Sequence, residues 1–405
     1  MVNRIKYWMQ IFLLPIYGIS FLTLRKKNIW LFGSTFGRRF ADNPRYLYLY
    51  CSQLEKGIRP IWISHEKSVV KFLNEKGYEA YYYRSVKGIY YCLTAGVYIF
   101  DNYSKDISFW LSGGAKKVNL WHGVGNKKIN YDNIHDRLRH PKNKWEAFHN
   151  CFLTMSNEKP SHYILATSEV MTNIFSSAFQ VSKNHIIVAS YPRNDVLISD
   201  NIQNVLLPKE MESVEILNEL VKDGSKVFLY MPTFRESEKL FFETMDLQKF
   251  NNFLKKQGYY FVTKLHPKSK LKEAFDQMDY SNIKDLKAEV DVYAILKYAD
   301  VLVTDYSSVY SDFLYLDRPA ILFTYDYKEY KRDTREEYFT YEDYMTEPRA
   351  DDMESLMELM SEAITRMGLA DIYQKKRAEV RGWMFTEFDH LASEELVNQI
   401  FQILM

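Results

Sequence analysis

The chain has 405 residues, of which 47% are apolar, with 53 Lys+Arg against 52 Asp+Glu. That length suits two domains of ordinary size, and the apolar content excludes a disordered chain. The charge balance argues against nucleic acid as a partner, since such binders carry a basic excess. Three cysteines, Cys51, Cys92 and Cys151, without a CxxC pair exclude a disulfide framework and a cysteine zinc site.

The N-terminus differs from the rest. Residues 7–24 read YWMQIFLLPIYGISFLTL, a run of 18 positions without a charge, with Arg4 and Lys6 before it and Arg25, Lys26 and Lys27 after it. A membrane-spanning helix needs about 20 apolar residues, and Gln10, Pro15 and Gly18 interrupt this run. Three readings are open: a helix lying in the membrane interface, a true span, or a buried domain helix. No small-x-small cleavage site follows, which argues against a secretory signal. Basic residues at both ends suit an anionic leaflet, so residues 1–27 are expected to associate with a membrane.

From Asn28 onward, short apolar runs alternate with helical segments. Strands are expected at Ile29–Phe32, Pro60–Ser64, Ala80–Tyr83, Val97–Phe100, Val118–Trp121, Tyr163–Ala166 and Ile186–Ala189, and in a second series at Val227–Tyr230, Tyr260–Lys264, Val301–Thr304 and Ala320–Phe323. Helices are expected between them, including Val290–Tyr298 and Val309–Leu316. Strands that are apolar throughout and alternate with helices imply parallel sheets covered on both faces. The expected architecture is α/β, with a Rossmann-like domain over residues 28–190, a second over 191–370, and a helical tail, 371–405, that crosses back toward the first.

In open α/β sheets ligands bind beyond the carboxyl ends of the strands. Here those ends carry His122-Gly123, then Ser190-Tyr191-Pro192-Arg193-Asn194-Asp195, Met231-Pro232-Thr233-Phe234-Arg235, Lys264-Leu265-His266-Pro267, and Asp305-Tyr306-Ser307-Ser308. Each segment alone reads equally as a turn or a helix cap. Together they bring Arg, Lys, His and hydroxyl groups to successive strand ends, a set suited to a pyrophosphate. There is no DxD, HExxH, GxGxxG or P-loop pattern, so no metal and no cofactor is called for.

The segments WHG (121–123), YPRND (191–195), MPTFR (231–235), KLHP (264–267) and TDYSSVYSDFLYLDRPAILFTYDYKEY (304–330) resemble the CDP-glycerol glycerophosphotransferase family of teichoic acid primases and polymerases. The resemblance covers about residues 115–345, and a short Ala-Asp-Asn-Pro segment, 41–44, extends it loosely into the first third. It implies a GT-B fold, two Rossmann-like domains facing a cleft, peripheral on the cytoplasmic face of the cell membrane. It implies a CDP-glycerol donor and a lipid-linked polymer acceptor. His122 would be the base on the acceptor hydroxyl. His266, Lys264 and Arg193 would hold the pyrophosphate, and Gly123, Asn194, Thr233, Arg235, Ser307, Ser308 and Asp312 would complete the donor site. Lys127, Lys128, Arg137 and Arg139 lie in a basic stretch expected to touch the acceptor or anionic lipid, or else to be a solvated loop.

The chain departs from the family pattern at Ser190, at Val124-Gly125-Asn126 and at Thr346-Glu347-Pro348-Arg349. These departures leave a CDP-ribitol donor and a capsule product open beside CDP-glycerol. Two further alternatives are a GT-B glycosyltransferase using a nucleotide sugar and a non-catalytic polymer- or lipid-binding scaffold. The first lacks its usual Glu-x7-Glu pattern here, and the pair of strand-end histidines argues against the second.

Overall fold

The computed structural model describes residues 9–54, 57–156, 161–199, 205–277, 280–286, 288–333, 336–367, 371–386 and 390–404. The start of the apolar N-terminal run, residues 7 and 8, lies outside them. Two parallel sheets organise the chain. The first contains β1 (Lys26–Phe32), β2 (Arg59–Ser64), β3 (Ala80–Tyr82), β4 (Ala95–Phe100), β5 (Lys116–Asn119), β6 (Tyr163–Ala166) and β7 (Ile186–Val188). The second contains β8 (Lys226–Tyr230), β9 (Tyr259–Thr263), β10 (Ile283–Asp285), β11 (Val301–Thr304), β12 (Ala320–Phe323) and β13 (Arg349–Ala350).

The strand orders are β3-β2-β1-β4-β5-β6-β7 and β10-β9-β8-β11-β12-β13. Both are Rossmann orders, with the switch in direction of winding at β1/β4 and at β8/β11. Alternate residues of each strand face opposite layers. In β1, Ile29 and Leu31 pack with Ile61, Ile63, Tyr98 and Phe100, while Trp30 and Phe32 join the larger core that continues into the second domain. Each large apolar side chain buried in this way contributes roughly 1.5–3 kcal/mol.

The helices include α1 (Leu14–Ser20), α2 (Asp42–Cys51), α3 (Lys144–Thr154), α4 (Glu169–Phe179), α5 (Pro208–Lys222), α6 (Leu247–Gln257), α7 (Val309–Phe313), α8 (Met353–Met367), α9 (Gln374–Met384) and α10 (Ala392–Leu404). The eleven expected strands are present. Edge strands β10 and β13 were not foreseen, because two or three residues leave no readable apolar run. The expected helix Val290–Tyr298 is instead two tight 3-10 turns, Val292–Ala294 and Leu296–Tyr298. The Asp291 carboxylate accepts the Tyr293 N–H at 2.9 Å, and this local bond competes with helical pairing.

The tail returns to the first domain. Ser168 Oγ donates to Trp383 O at 2.6 Å, Thr386 N–H donates to Thr167 O at 2.9 Å, and the Trp30 and Phe401 rings meet at 5.3 Å. Asp195, which could cap the helix beside it, instead caps a distant one. Its carboxylate accepts the Ala392 and Ser393 N–H groups at 2.8 and 3.0 Å, at the start of α10. Both donors would otherwise be orphaned in a buried setting.

At the other terminus, α1 follows a 3-10 turn, Met9–Leu13. The Arg25 guanidinium donates to the carbonyls of Ser20, Cys92, Ala95, Leu111 and Gly113, which fixes this segment at the amino edge of the first sheet. No helix among the described residues is long and apolar enough to cross a membrane. The segment nevertheless exposes Phe12 (79%), Leu22 (83%) and Leu24 (89%).

Asp195→Ala should destabilise the protein by about 2–3 kcal/mol, the scale of losing hydrogen bonds to a charged group with both donors left buried. Urea unfolding measures the loss, and amide exchange should rise across residues 392–404 first.

Candidate active site between the two sheets

The carboxyl ends of both sheets open on one cavity of about 490 Å³. From the first domain it is lined by Trp121, His122, Gly123, Gly125, Asn126, Lys127, Ile129, Met171, Ile174 and Phe175. From the second come Pro232, Thr233, Phe234, His266, Tyr306, Ser307, Ser308, Tyr338 and Tyr344. Of the expected residues, His122, Gly123, Lys127, Thr233, His266, Ser307 and Ser308 therefore meet at a single site. The glycine-containing turn of the first domain approaches the second closely: a Cβ on Gly125 would lie 3.3 Å from Ser308 Cβ.

His122 is held by the backbone before it. β5 ends at Asn119, and Trp121 takes a left-handed conformation, φ +52°. Such a conformation in a bulky residue is strained and persists only where its surroundings fix it. Here Asn119 Oδ1 accepts the Trp121 N–H at 2.8 Å, and Asn43 Nδ2 donates to Trp121 O at 2.9 Å. His122 Nδ1 lies 3.0 Å from the Asp101 carbonyl. A carbonyl only accepts, so the bond puts the proton on Nδ1 and leaves Nε2 with its lone pair. The ring opens to the cleft but is walled by protein, and burial lowers its pKa below the ordinary histidine value. Neutral, with Nε2 unprotonated, it is configured as a base.

His266 has the opposite tautomer. Its Nδ1 accepts the Lys268 N–H at 3.2 Å, so Nε2 carries the proton and donates. Partial burial and the neighbouring Lys268 and Lys264 charges lower its pKa, and the Phe234 ring packs 4.8 Å away. Beside it, Ser308 starts α7 without forming a side-chain cap, and among the described residues the Ser307 hydroxyl oxygen is approached only by the Val309 N–H, at 3.5 Å. Both hydroxyl protons are thus available to a ligand. Thr233 is different. Its hydroxyl donates to Asp305 Oδ1 at 2.8 Å, so toward a ligand it can only accept.

The other expected donor-site residues stand behind this surface. Arg193 is 1% exposed. Its Nη1 donates to Asp42 Oδ1 and to His122 O, both at 2.8 Å, and its Nη2 donates to Asp312 Oδ2 at 2.8 Å. The guanidinium therefore holds the carbonyl of His122 instead of lining the cavity, and Asp312 is its partner in the second domain. Asn194 is buried beside it. Arg235 pairs with Asp305 and Asp326 and fixes the loop that carries Thr233. Lys264 Nζ donates to Ala288 O at 3.1 Å and is outside the cavity lining.

In the basic stretch, Lys128 pairs with Glu336 at 2.8 Å, Arg137 with Glu146 at 2.7 Å, and Arg139 with Asp136. Lys127 lies over the Tyr330 ring at 5.0 Å and reaches the cavity.

Sequence reasoning missed Asp42, Asn43, Asp101, Asn126 and Asp305. The Ala-Asp-Asn-Pro segment was the available signal for the first two. Asn126 joins the domains, with its Oδ1 accepting from Phe339 N–H at 2.7 Å and its Nδ2 donating to Phe339 O at 2.9 Å.

Residues 16–402 match the family model described as CDP-Glycerol:Poly(glycerophosphate) glycerophosphotransferase. The chain belongs to this family of transferases. It is 28% identical to the teichoic acid poly(glycerol phosphate) polymerase of Bacillus spizizenii, over 85% of this chain and 87% of that protein. It is 24% identical to the teichoic acid glycerol-phosphate transferase of Staphylococcus aureus, over 94% of each. It spans about half the length of other curated relatives, such as the Bacillus subtilis polymerase, of which 50% is covered. Among solved structures, the wall teichoic acid polymerase TagF shares the fold with a TM-score of 0.73 at 22% identity, over 100% of this chain and 98% of that one. The motifs of the resemblance and the cavity coincide in this family's setting.

Arg193→Met should cost about 3–5 kcal/mol of stability, because it leaves the buried Asp312 carboxylate without a counter-charge and removes the partner of the partly exposed Asp42. Chemical unfolding of the variant tests this; a change below about 1 kcal/mol would contradict the central role given to the guanidinium.

Proposed function

We propose that the protein transfers glycerol phosphate from CDP-glycerol to a hydroxyl of a glycerol-phosphate polymer. The opposite tautomers of His122 and His266 on facing walls of one cavity carry this reading. His122 Nε2 accepts the acceptor hydroxyl proton as that oxygen bonds to the phosphorus bearing glycerol. The bond from that phosphorus to the bridging oxygen breaks, and CMP leaves with the electron pair. His266 Nε2–H and the Ser307 and Ser308 hydroxyls stabilise the charge on the departing phosphate. At phosphorus, positioning and charge stabilisation dominate the barrier. The relatives' names, poly(glycerol phosphate) polymerase and glycerol-phosphate transferase, support glycerol as the polyol.

Membrane association is part of the same proposal. The exposed apolar residues of the segment 9–24, together with exposed Trp145 and Phe148 of α3, suit a peripheral contact with an anionic leaflet. Gln10 Oε1 accepts from Ser156 Oγ at 2.7 Å, just beyond α3, so the two apolar groups are neighbours. A lipid-linked acceptor would be within reach of a protein bound in this way.

His122→Ala should lower CMP release by about 10²–10⁴-fold, the usual scale of general-base loss, with CDP-glycerol binding retained. A lowered folded-state pKa keeps the ring neutral into mild acid. The acid limb of kcat/KM in the native enzyme should therefore fall below the ordinary histidine value of about 6.5. An acid limb at or above neutrality would exclude His122 as the base. His266→Gln, which keeps an N–H donor, should retain more turnover than His266→Ala.

The triple change Phe12→Gln, Ile19→Gln, Leu22→Gln should release the protein from vesicles of phosphatidylglycerol in a flotation assay. Unchanged flotation would remove this segment from the membrane contact.

A further inference from the structure

The switch point of the second sheet, β8/β11, carries Thr233, Ser307 and Ser308 of the cavity. The switch point of the first sheet, β1/β4, carries none of the residues that line the cavity, although a ligand crevice is expected there by the same rule. Its loop is unusual. Thr35, Phe36 and Gly37 follow one another in the left-handed region, at φ +48°, +57° and +78°. Two carboxylates hold them: Asp101 accepts Thr35 N–H at 3.0 Å and Ser34 Oγ at 2.5 Å, and Asp106 accepts Phe36 N–H at 2.9 Å. Burial and the neighbouring Asp101 push the Asp106 carboxyl well up, which reduces negative charge beneath the loop. Strained backbone held from several sides is typical of ligand-binding positions.

A continuous set of contacts runs outward from the catalytic base. The Asp101 carbonyl holds His122 Nδ1, and the Asp101 side chain holds the 34–37 loop. Gly37 O accepts His65 N–H at 2.7 Å, and a Cβ at Gly37 would collide with the His65 ring at 2.5 Å. His65 stacks on Tyr83 at 3.9 Å, and the Arg84 guanidinium lies over Tyr83 at 5.0 Å. Arg38 adds its charge beside His65, and Lys105 lies over exposed Phe36 at 4.4 Å. Arg38 and Arg84 are exposed and form no ion pair among the described residues. Most other arginines bind carboxylates or carbonyls, so two guanidiniums without an ion pair, beside exposed Phe36 and half-buried Tyr83, form an anion-binding surface.

We propose that the carboxyl edge of the first sheet, from β5 across β4, β1 and β2 to β3, is the docking track for the phosphodiester backbone of the acceptor polymer, with Arg38 and Arg84 as its phosphate contacts. The proposal rests on the reading of the protein as an alditol-phosphate transferase. Four strand spacings give a track of about 19 Å. A glycerol-phosphate repeat has about as many backbone atoms as two amino-acid residues, or about 7 Å extended. The track thus holds about two to three repeats behind the terminal hydroxyl at His122. A membrane is disfavoured as the occupant, because the exposed apolar segment is fixed at the opposite, amino edge of the same sheet by Arg25.

The test uses the full chain and the double variant Arg38→Gln/Arg84→Gln, with Lys255→Gln/Lys256→Gln on α6 as a charge-matched control. The KM for poly(glycerol phosphate) should rise about tenfold or more in the first variant and stay unchanged in the control. The KM for CDP-glycerol, and kcat with a single-unit soluble acceptor, should not move. The salt sensitivity of polymer binding should also fall. An unchanged polymer KM in an active double variant overturns the proposal. So does loss of phosphatidylglycerol vesicle binding with an unchanged polymer KM, which would make the patch a membrane contact. If the native chain releases no CMP from CDP-glycerol, the transferase reading fails instead. Retardation of the two proteins in gels containing poly(glycerol phosphate) then decides the track alone: lost retardation in the variant supports it, and equal retardation overturns it.

Discussion

The guanidinium of Arg193 ties together three parts of the chain that are far apart in sequence. It binds Asp42 at the start of α2, the carbonyl of His122 after β5, and Asp312 on α7 of the second domain. Two aromatic faces, Tyr191 and Tyr293, enclose it at 4.7 and 4.4 Å. Burying a charge is unfavourable unless every direction is matched, and a buried pair gives little net stability of its own. Its value here is geometric. A planar fork with fixed donor directions sets the angle between the domains and the height of His122 in a single contact. A second buried pair, Arg45 with Glu210 at 2.8 Å, repeats the arrangement between α2 and α5. The cleft is thus framed by two guanidiniums that stay out of solvent.

Within that frame the two walls have different chemistry. The first-domain wall offers one nitrogen lone pair on a strained turn. The second-domain wall offers protons, from a ring N–H and two hydroxyls. Each histidine's tautomer is set by a backbone group behind it: a carbonyl for His122 and an N–H for His266. The side chains are the same and the tautomers opposite.

Much of this was legible in the sequence. Apolar runs bounded by helical segments located every strand of four or more residues, because a strand covered on both faces must be apolar along its length. The strand-end motifs located most of the cavity wall. What sequence could not reveal was direction. Arg193 reads as a phosphate ligand, since Arg at a strand end suits one, but its carboxylate partners Asp42 and Asp312 are 151 and 119 positions away. Arg235 is withdrawn in the same manner by Asp305 and Asp326. Thr233 keeps its expected place but turns its proton to Asp305. Long-range pairing has no local signature, so residue types named the site while their partners determined its function. The 3-10 turns at Val292–Tyr298 show the same limit at short range.

The return of the C-terminal tail has a consequence for how the molecule is made. Trp30 lies in the first strand of the first sheet, yet its ring is covered by Phe401, and Lys27 Nζ donates to the carbonyl of Leu404 at 2.6 Å. The first domain therefore cannot complete its own surface as it leaves the ribosome. Domains of nascent chains generally fold in order from the N-terminus, but here the first sheet keeps an apolar flank bare until α10 is synthesised. Closure of that flank needs α10, whose first turn is capped by Asp195, so the first domain reaches its final form only after α10 has been made.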